Sequence, residues 1–122
     1  MVRTKGLYHL HLVVADLERS LRFYQSAFGM KELFRDGPQM VFLQTPGGSD
    51  LITLNGDPAL KPHAGPGSGG IEHFGFDLAP DQPLDDAIAQ IERAGGKLES
   101  RSGPTGRQYA YLRDPDGYLI EI

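Results

Sequence analysis

A pattern that occurs twice constrains this chain more than any other feature. His9 and His73 lie 64 residues apart, Gly29 and Gly95 lie 66 apart, Lys31 and Lys97 lie 66 apart, and Thr53 and Glu121 lie 68 apart. The spacing drifts slowly, as a few loop insertions in the second copy would produce. A repeat this long, present only twice, indicates duplicated half-domains, because solenoid arrays use shorter units in larger number. At 122 residues the chain is about one domain, long enough to bury a core without disulfides.

Each copy reads as βαβββ. Residues 8–14 alternate, with Tyr8, Leu10, Leu12 and Val14 on one face and His9, His11 and Val13 on the other, which predicts a strand. Asp16 is an N-cap residue, and Glu18 sits in the first turn where the helix dipole favours it. Leu17, Leu21, Tyr24 and Phe28 recur at helical spacing, and Gly29 suits the C′ position. Strands are expected at 31–35, 39–45 and 51–54. Pro58, Pro62, Pro66 and five glycines make 55–70 a linker. The second copy begins with a strand at 71–78, whose Phe74, Phe76 and Leu78 share a face. Pro83 suits position N1 of a helix with an apolar stripe of Leu84, Ile88, Ile91 and Ala94. Strands follow at 97–101, 107–113 and 118–122. Asp114-Pro115-Asp116-Gly117 is a turn, with Pro115 presetting φ and Gly117 taking the positive φ. The expectation is one domain over 1–122, with a module at about 7–54, the linker 55–70, and a module at about 71–122.

A helix must cover one face of each sheet, and the purely apolar alternations mark that face. The opposite face then carries His9, His11, His73, Arg107, Tyr109, Tyr111 and Glu121. Taken singly, each of these reads as a packed or solvated strand residue. Together they read differently, because His9 and His73 hold the same position in the two copies and Glu121 lies on the same side of the last strand. A carboxylate inside a terminal apolar strand is costly unless a charged partner meets it. Two imidazoles and one carboxylate on one face form a facial triad suited to Fe(II), Mn(II), Co(II), Ni(II) or Zn(II), with positions left open for substrate.

Composition removes other classes of function. The net charge is −4 with no basic stripe, which argues against a nucleic-acid partner. There is no cysteine, hence no thiolate chemistry and no disulfide framework. No apolar run reaches the roughly 18 residues that span a bilayer, and no signal-peptide pattern opens the chain, so no membrane association and a cytoplasmic setting are expected.

The segment His9-x6-Asp16-Leu17-x2-Ser20-x2-Phe23-Tyr24-x4-Gly29, then His73, then Asp114-Pro-Asp-Gly117-x3-Glu121, resembles the vicinal oxygen chelate superfamily over essentially the whole chain. That superfamily includes glyoxalase I, extradiol dioxygenases, fosfomycin-resistance enzymes and bleomycin-resistance proteins. The resemblance implies an α+β fold of two βαβββ modules, with mixed sheets curled into an open cup and completed in a homodimer. It implies one divalent first-row metal per site, held by His9, His73 and Glu121, that chelates adjacent oxygens of a small-molecule substrate. In a glyoxalase-like dimer, His9 comes from one chain and His73 and Glu121 from the other. Where glyoxalase I carries a fourth ligand, a glutamate, this chain has Thr53. Three ligands is the count of dioxygenases and fosfomycin-resistance enzymes, and Tyr111 through Glu121 match the extradiol pattern Tyr-x-x-Asp-Pro-x-Gly-x-x-x-Glu. Dioxygenase-like chemistry is therefore placed slightly ahead of lyase or isomerase chemistry. His11 is the candidate acid/base and Tyr111 the candidate for orienting substrate. Arg107 and Tyr109 are candidate contacts for an anionic or aromatic substrate. The alternative is a metal-free drug- or metabolite-binding protein of the bleomycin-resistance type.

Overall fold

In the computed structural model, which describes residues 1–65 and 69–122, each copy of the repeat becomes a four-stranded mixed sheet with one helix. The first copy runs β1 (Leu10–Val13), α1 (Leu17–Phe28), β2 (Lys31–Asp36), β3 (Met40–Gln44) and β4 (Ile52–Asn55). The second runs β5 (Phe74–Gly75), α2 (Leu84–Arg93), β6 (Lys97–Ser102), β7 (Tyr109–Arg113) and β8 (Leu119–Glu121). Strand orders are β1-β4-β3-β2 and β5-β8-β7-β6, and the β1–β4 and β5–β8 pairs are parallel. The α+β class and the doubled βαβββ order are those the sequence indicates. Neither sheet closes into a barrel.

Local chemistry sets the helix ends. Asp16 is extended (φ −137°) and its Oδ1 accepts from the Arg19 N–H at 3.0 Å, satisfying one orphan donor of α1. Gly29 ends the helix at φ 65°, with its N–H bonded to the Gln25 carbonyl and that of Met30 bonded to Tyr24. Helix α2 starts one residue later than expected. Pro83 has ψ 138°, so it stands outside the helix as an N-cap without a side-chain bond, and Asp85 and Asp86 meet the positive end of the dipole.

Two strands are shorter than their alternation suggests. The stretch expected at 71–78 pairs only at Phe74 and Gly75, with one further bond from the Phe76 N–H to the Glu121 carbonyl. Alternation reports which side chains share a face, whereas a strand also needs a neighbour. Here β5 has a neighbour on one side only, and that neighbour, β8, spans three residues. Similarly β1 begins at Leu10, whose N–H bonds Leu51, so Tyr8 and His9 precede the ladder. Tyr8, expected on the helix-covered face, is 69% exposed.

One core joins the two copies. Leu12, Val14, Leu21, Phe23 and Leu54 from the first copy are buried in the same cluster as Ile88, Ile91, Leu112 and Ile120 from the second, and α1 packs on α2. A polar clamp reinforces the join. The Tyr24 hydroxyl donates to Asp114 Oδ2 at 2.8 Å, and the Ser20 hydroxyl donates to Asp116 Oδ2 at 3.0 Å. Asp116 Oδ1 accepts from the Ala15 N–H and from Arg19 Nη2, and the Tyr118 hydroxyl donates to the Val13 carbonyl at 2.8 Å. The expected turn is present, closed by the Gly117 N–H to the Asp114 carbonyl at 3.0 Å, with Gly117 at φ 98°. Of the expected linker, residues 66–68 lie outside the described residues, and Gly65 docks on the turn through its N–H to the Gly117 carbonyl.

Candidate metal centre

Glu121 is met by His73. Strand β8 is paired with β5 on one side and with β7 on the other, so Glu121 stands opposite Gly75 and Tyr111 in the ladder. His73 sits one residue before β5 and turns its ring to the same side. Its Nε2 is 3.1 Å from Glu121 Oε2, with the imidazole 31% and the carboxylate 37% exposed. Its other ring nitrogen, Nδ1, contacts the Glu72 carboxylate. The edge of the His73 ring packs on Tyr111 at a centroid distance of 5.2 Å, and Tyr111 in turn packs on Tyr109 at 5.7 Å.

The donor chemistry of this pair is specific. A neutral imidazole that donates from Nδ1 to Glu72 has its lone pair on Nε2. That lone pair then faces a carboxylate oxygen, and two acceptors 3.1 Å apart repel unless a proton or cation lies between them. Two N and O ligands bound at about 2.1 Å on adjacent corners of a coordination shell stand about 3 Å apart. The spacing of the His73–Glu121 pair is compatible with a divalent ion, and Glu72 would then supply the outer hydrogen bond that orients the histidine. Hydrogen bonding to the Glu121 carboxylate, reinforced by desolvation and by its negative charge, pushes the pKa of the Tyr111 hydroxyl up to about 12. At neutral pH Tyr111 is a donor, not a base.

The remaining expected residues divide into two groups. Arg107 and Tyr109 line a cavity of about 850 Å³ together with Glu121, Asp77 and Gln82. Arg107 is exposed just before β7, and Tyr109 opens that strand. His9 and His11 are elsewhere. Both are exposed, His9 with its ring on Tyr8 at 5.1 Å, and His11 is opposite Thr53 in the β1–β4 ladder. Among the described residues, no group of three His, Asp or Glu side chains converges within one chain to hold a metal. Thr53 is fully buried, and its hydroxyl finds no hydrogen-bond partner.

Sequence reasoning overlooked Glu72, Asp77 and Gln82. Strict alternation puts Glu72 opposite His73, but the segment before β5 is not a strand, so its side chains are not bound to opposite faces. The clamp had a visible signal, since Ser20, Tyr24, Asp114 and Asp116 all stand in the motifs. Their mutual contacts span 90 and 96 residues of sequence and have no local signature.

Comparison with known proteins agrees with this fold. The Glyoxalase/Bleomycin resistance protein/Dioxygenase superfamily model matches residues 6–122. The chain is similar to the lactoylglutathione lyase GLX1 of Arabidopsis thaliana, at 32% identity over 120 residues, covering 93% of this chain and 42% of that protein. It thus spans less than half the length of that relative. Its fold is similar to a glyoxalase-related enzyme from Fulvimarina pelagi, with a TM-score of 0.77 at 23% identity over 98% of this chain and 87% of that one. The fosfomycin resistance protein FosX from Listeria monocytogenes superposes with a TM-score of 0.76 at 20% identity, over 98% and 90% of the two chains. At these identities the two superpositions bear on the fold alone.

Proposed function

Because the chain belongs to the glyoxalase/bleomycin resistance protein/dioxygenase superfamily, we propose that it is a divalent-metal-dependent enzyme acting on a small substrate through two adjacent oxygens. The observation that carries this reading is the 3.1 Å approach of His73 Nε2 to Glu121 Oε2. His73 and Glu121 of one protomer are the ligands, and His9 of a second copy is the third. Members of the superfamily often form dimers, and apolar surface beside both half-sites supports one here. Leu7 and Tyr8 flank His9, Ile71 precedes His73, and all three are exposed.

When bound, the metal supplies a Lewis acid that stabilises charge developing on the chelated oxygens. The chain's own groups do the rest. Tyr111 donates a hydrogen bond beside Glu121, Arg107 gives the 850 Å³ cavity a positive charge for an anionic substrate, and Tyr109 offers a ring face. His11, two residues after His9 and expected by alternation on the same face, is assigned as the acid/base. Burial of Thr53 keeps the donor set at three, which favours dioxygen insertion. A second reading, lyase chemistry, is supported by the similarity to a lactoylglutathione lyase.

The test is metal content by mass spectrometry, for the untagged protein beside His73→Ala and Glu121→Ala. The expected result is about one equivalent of a first-row metal per site, lost in both variants. Iron would direct assays to oxygen uptake with catechols, and nickel or zinc to lyase and isomerase substrates. Wild type that takes up no metal on reconstitution would overturn the enzyme reading in favour of metal-free ligand binding.

A further inference from the structure

A second cleft opens on the helix side of the molecule, away from His73. It has a volume of about 480 Å³ and lies between the end of α1 and α2, walled by Phe28, Phe76, Leu78, Ala87 and Ile91. The Phe28 and Phe76 rings are stacked at 4.0 Å and only half-buried, so an aromatic wall faces the opening. Ser26 and Gln90 belong both to this cleft and to an adjoining groove of about 390 Å³ lined by Arg22 and Arg93. The two spaces adjoin through these residues: the larger is walled mainly by apolar side chains, with the Asp77 carboxylate on the side shared with the cavity beside Glu121, and the smaller carries the two guanidiniums.

At the cationic end neither guanidinium forms an ion pair among the described residues, although the charge of Arg22 is felt at Glu18. Arg19, Arg35, Arg101 and Arg113 each pair with a carboxylate. Among the described residues Arg22 and Arg93 pair with none, in a chain that carries 16 acidic residues against 12 basic ones. Glu18, one turn before Arg22, is already held by Arg35. Glu92 is adjacent to Arg93 in sequence, and helix neighbours at that spacing do not face each other. The carbonyls that end α2 here are occupied by the N–H groups of Ala94, Gly95 and Gly96. Two guanidiniums at the mouth of an apolar cleft are complementary to an anionic head on an apolar body.

We propose that the α1–α2 groove binds an amphipathic small-molecule anion, an alkyl or aryl carboxylate, with its head between Arg22 and Arg93 and its body against Phe28 and Phe76. This site is independent of the metal reading, although Phe76, Asp77, Leu78 and Gln82 also line the cavity beside Glu121. Decanoate, decanol and acetate, each titrated into the protein and followed by two-dimensional NMR, test it. Decanoate is expected to shift the resonances of Phe28, Ala87 and Ile91 and to bind about tenfold tighter than decanol or acetate. The Arg22→Gln/Arg93→Gln double variant, which changes exposed residues only, should weaken decanoate about tenfold and leave decanol unchanged. Equal binding of decanol and decanoate, unchanged binding in the double variant, no binding of decanoate, or shifts confined to Tyr109 and Tyr111 would each overturn the proposal.

Discussion

Asp114 is buried, yet its carboxylate accepts from the Tyr24 hydroxyl and from the N–H groups of Asp116 and Tyr118. Tyr24→Phe removes one donor and leaves a carboxylate oxygen in apolar surroundings. It should lower unfolding free energy by about 1–3 kcal/mol in a urea titration. Asp114 also predicts a pH effect. Burial raises its carboxyl above the ordinary 3.8, against the opposing pull of the Tyr24 bond. The folded protein therefore keeps this proton to higher pH than the unfolded chain does. The contribution to stability is fully present below 3.8 and is lost as pH rises through the raised value. The stability of wild type relative to Asp114→Asn should accordingly fall as pH rises from below 3.8 toward neutrality, since other carboxylates cancel in the difference. A gap that widens over that range would contradict the assignment.

Among the elements, the turn that leads into β8 controls where Glu121 stands. Gly117 sits at φ 98°, where an added Cβ is strained, although that Cβ would meet Gly65 only at ordinary contact distance, 3.4 Å. Gly117→Ala should cost about 1–2 kcal/mol, read as a lowered midpoint in thermal unfolding. At the other side of the clamp, Asp16→Ala removes the α1 N-cap and should cost about 1 kcal/mol by the same measurement. An Asp16→Ser variant should recover most of that loss, because a hydroxyl also accepts from the Arg19 N–H. Failure of serine to recover it would mean that the capping bond is not what Asp16 contributes.

At the scale of the whole molecule, the proposed ligands fall in two places that do not meet within one chain. His73 and Glu121 are together, His9 is apart, and the shared core with its Asp114–Asp116 clamp holds them in those places. If the site is built across a dimer, mixing two inactive variants restores part of it. His9→Ala and Glu121→Ala should each lose high-affinity metal binding. Unfolding and refolding them together should return about a quarter of the wild-type sites, since half of the random dimers are mixed and each of those has one intact site. No recovery from a verified mixed dimer would show that the ligands do not pair between chains.

Much of this was written in the sequence, because it rests on periodicity and local stereochemistry. The two βαβββ units, the Asp16 and Gly29 caps, and the turn before Glu121 all follow from side-chain spacing and from φ preferences that act within a few residues. Placement of Tyr111 and Glu121 on one face followed too, since strand alternation is geometric, whereas His73 precedes β5 and its approach to Glu121 is set by tertiary packing. Tertiary structure decided the rest. Which residues of 71–78 form a strand depended on a neighbour only three residues long, and the solvation of Tyr8 depended on where the β1 ladder begins. Glu72 as the partner of His73, and the convergence of Arg22 and Arg93 on one groove, depend on contacts between segments distant in sequence or outside any regular element. A spacing rule reports the direction of a side chain within its own element. What that side chain meets is set by the packing of one element on another, and only the folded chain specifies it.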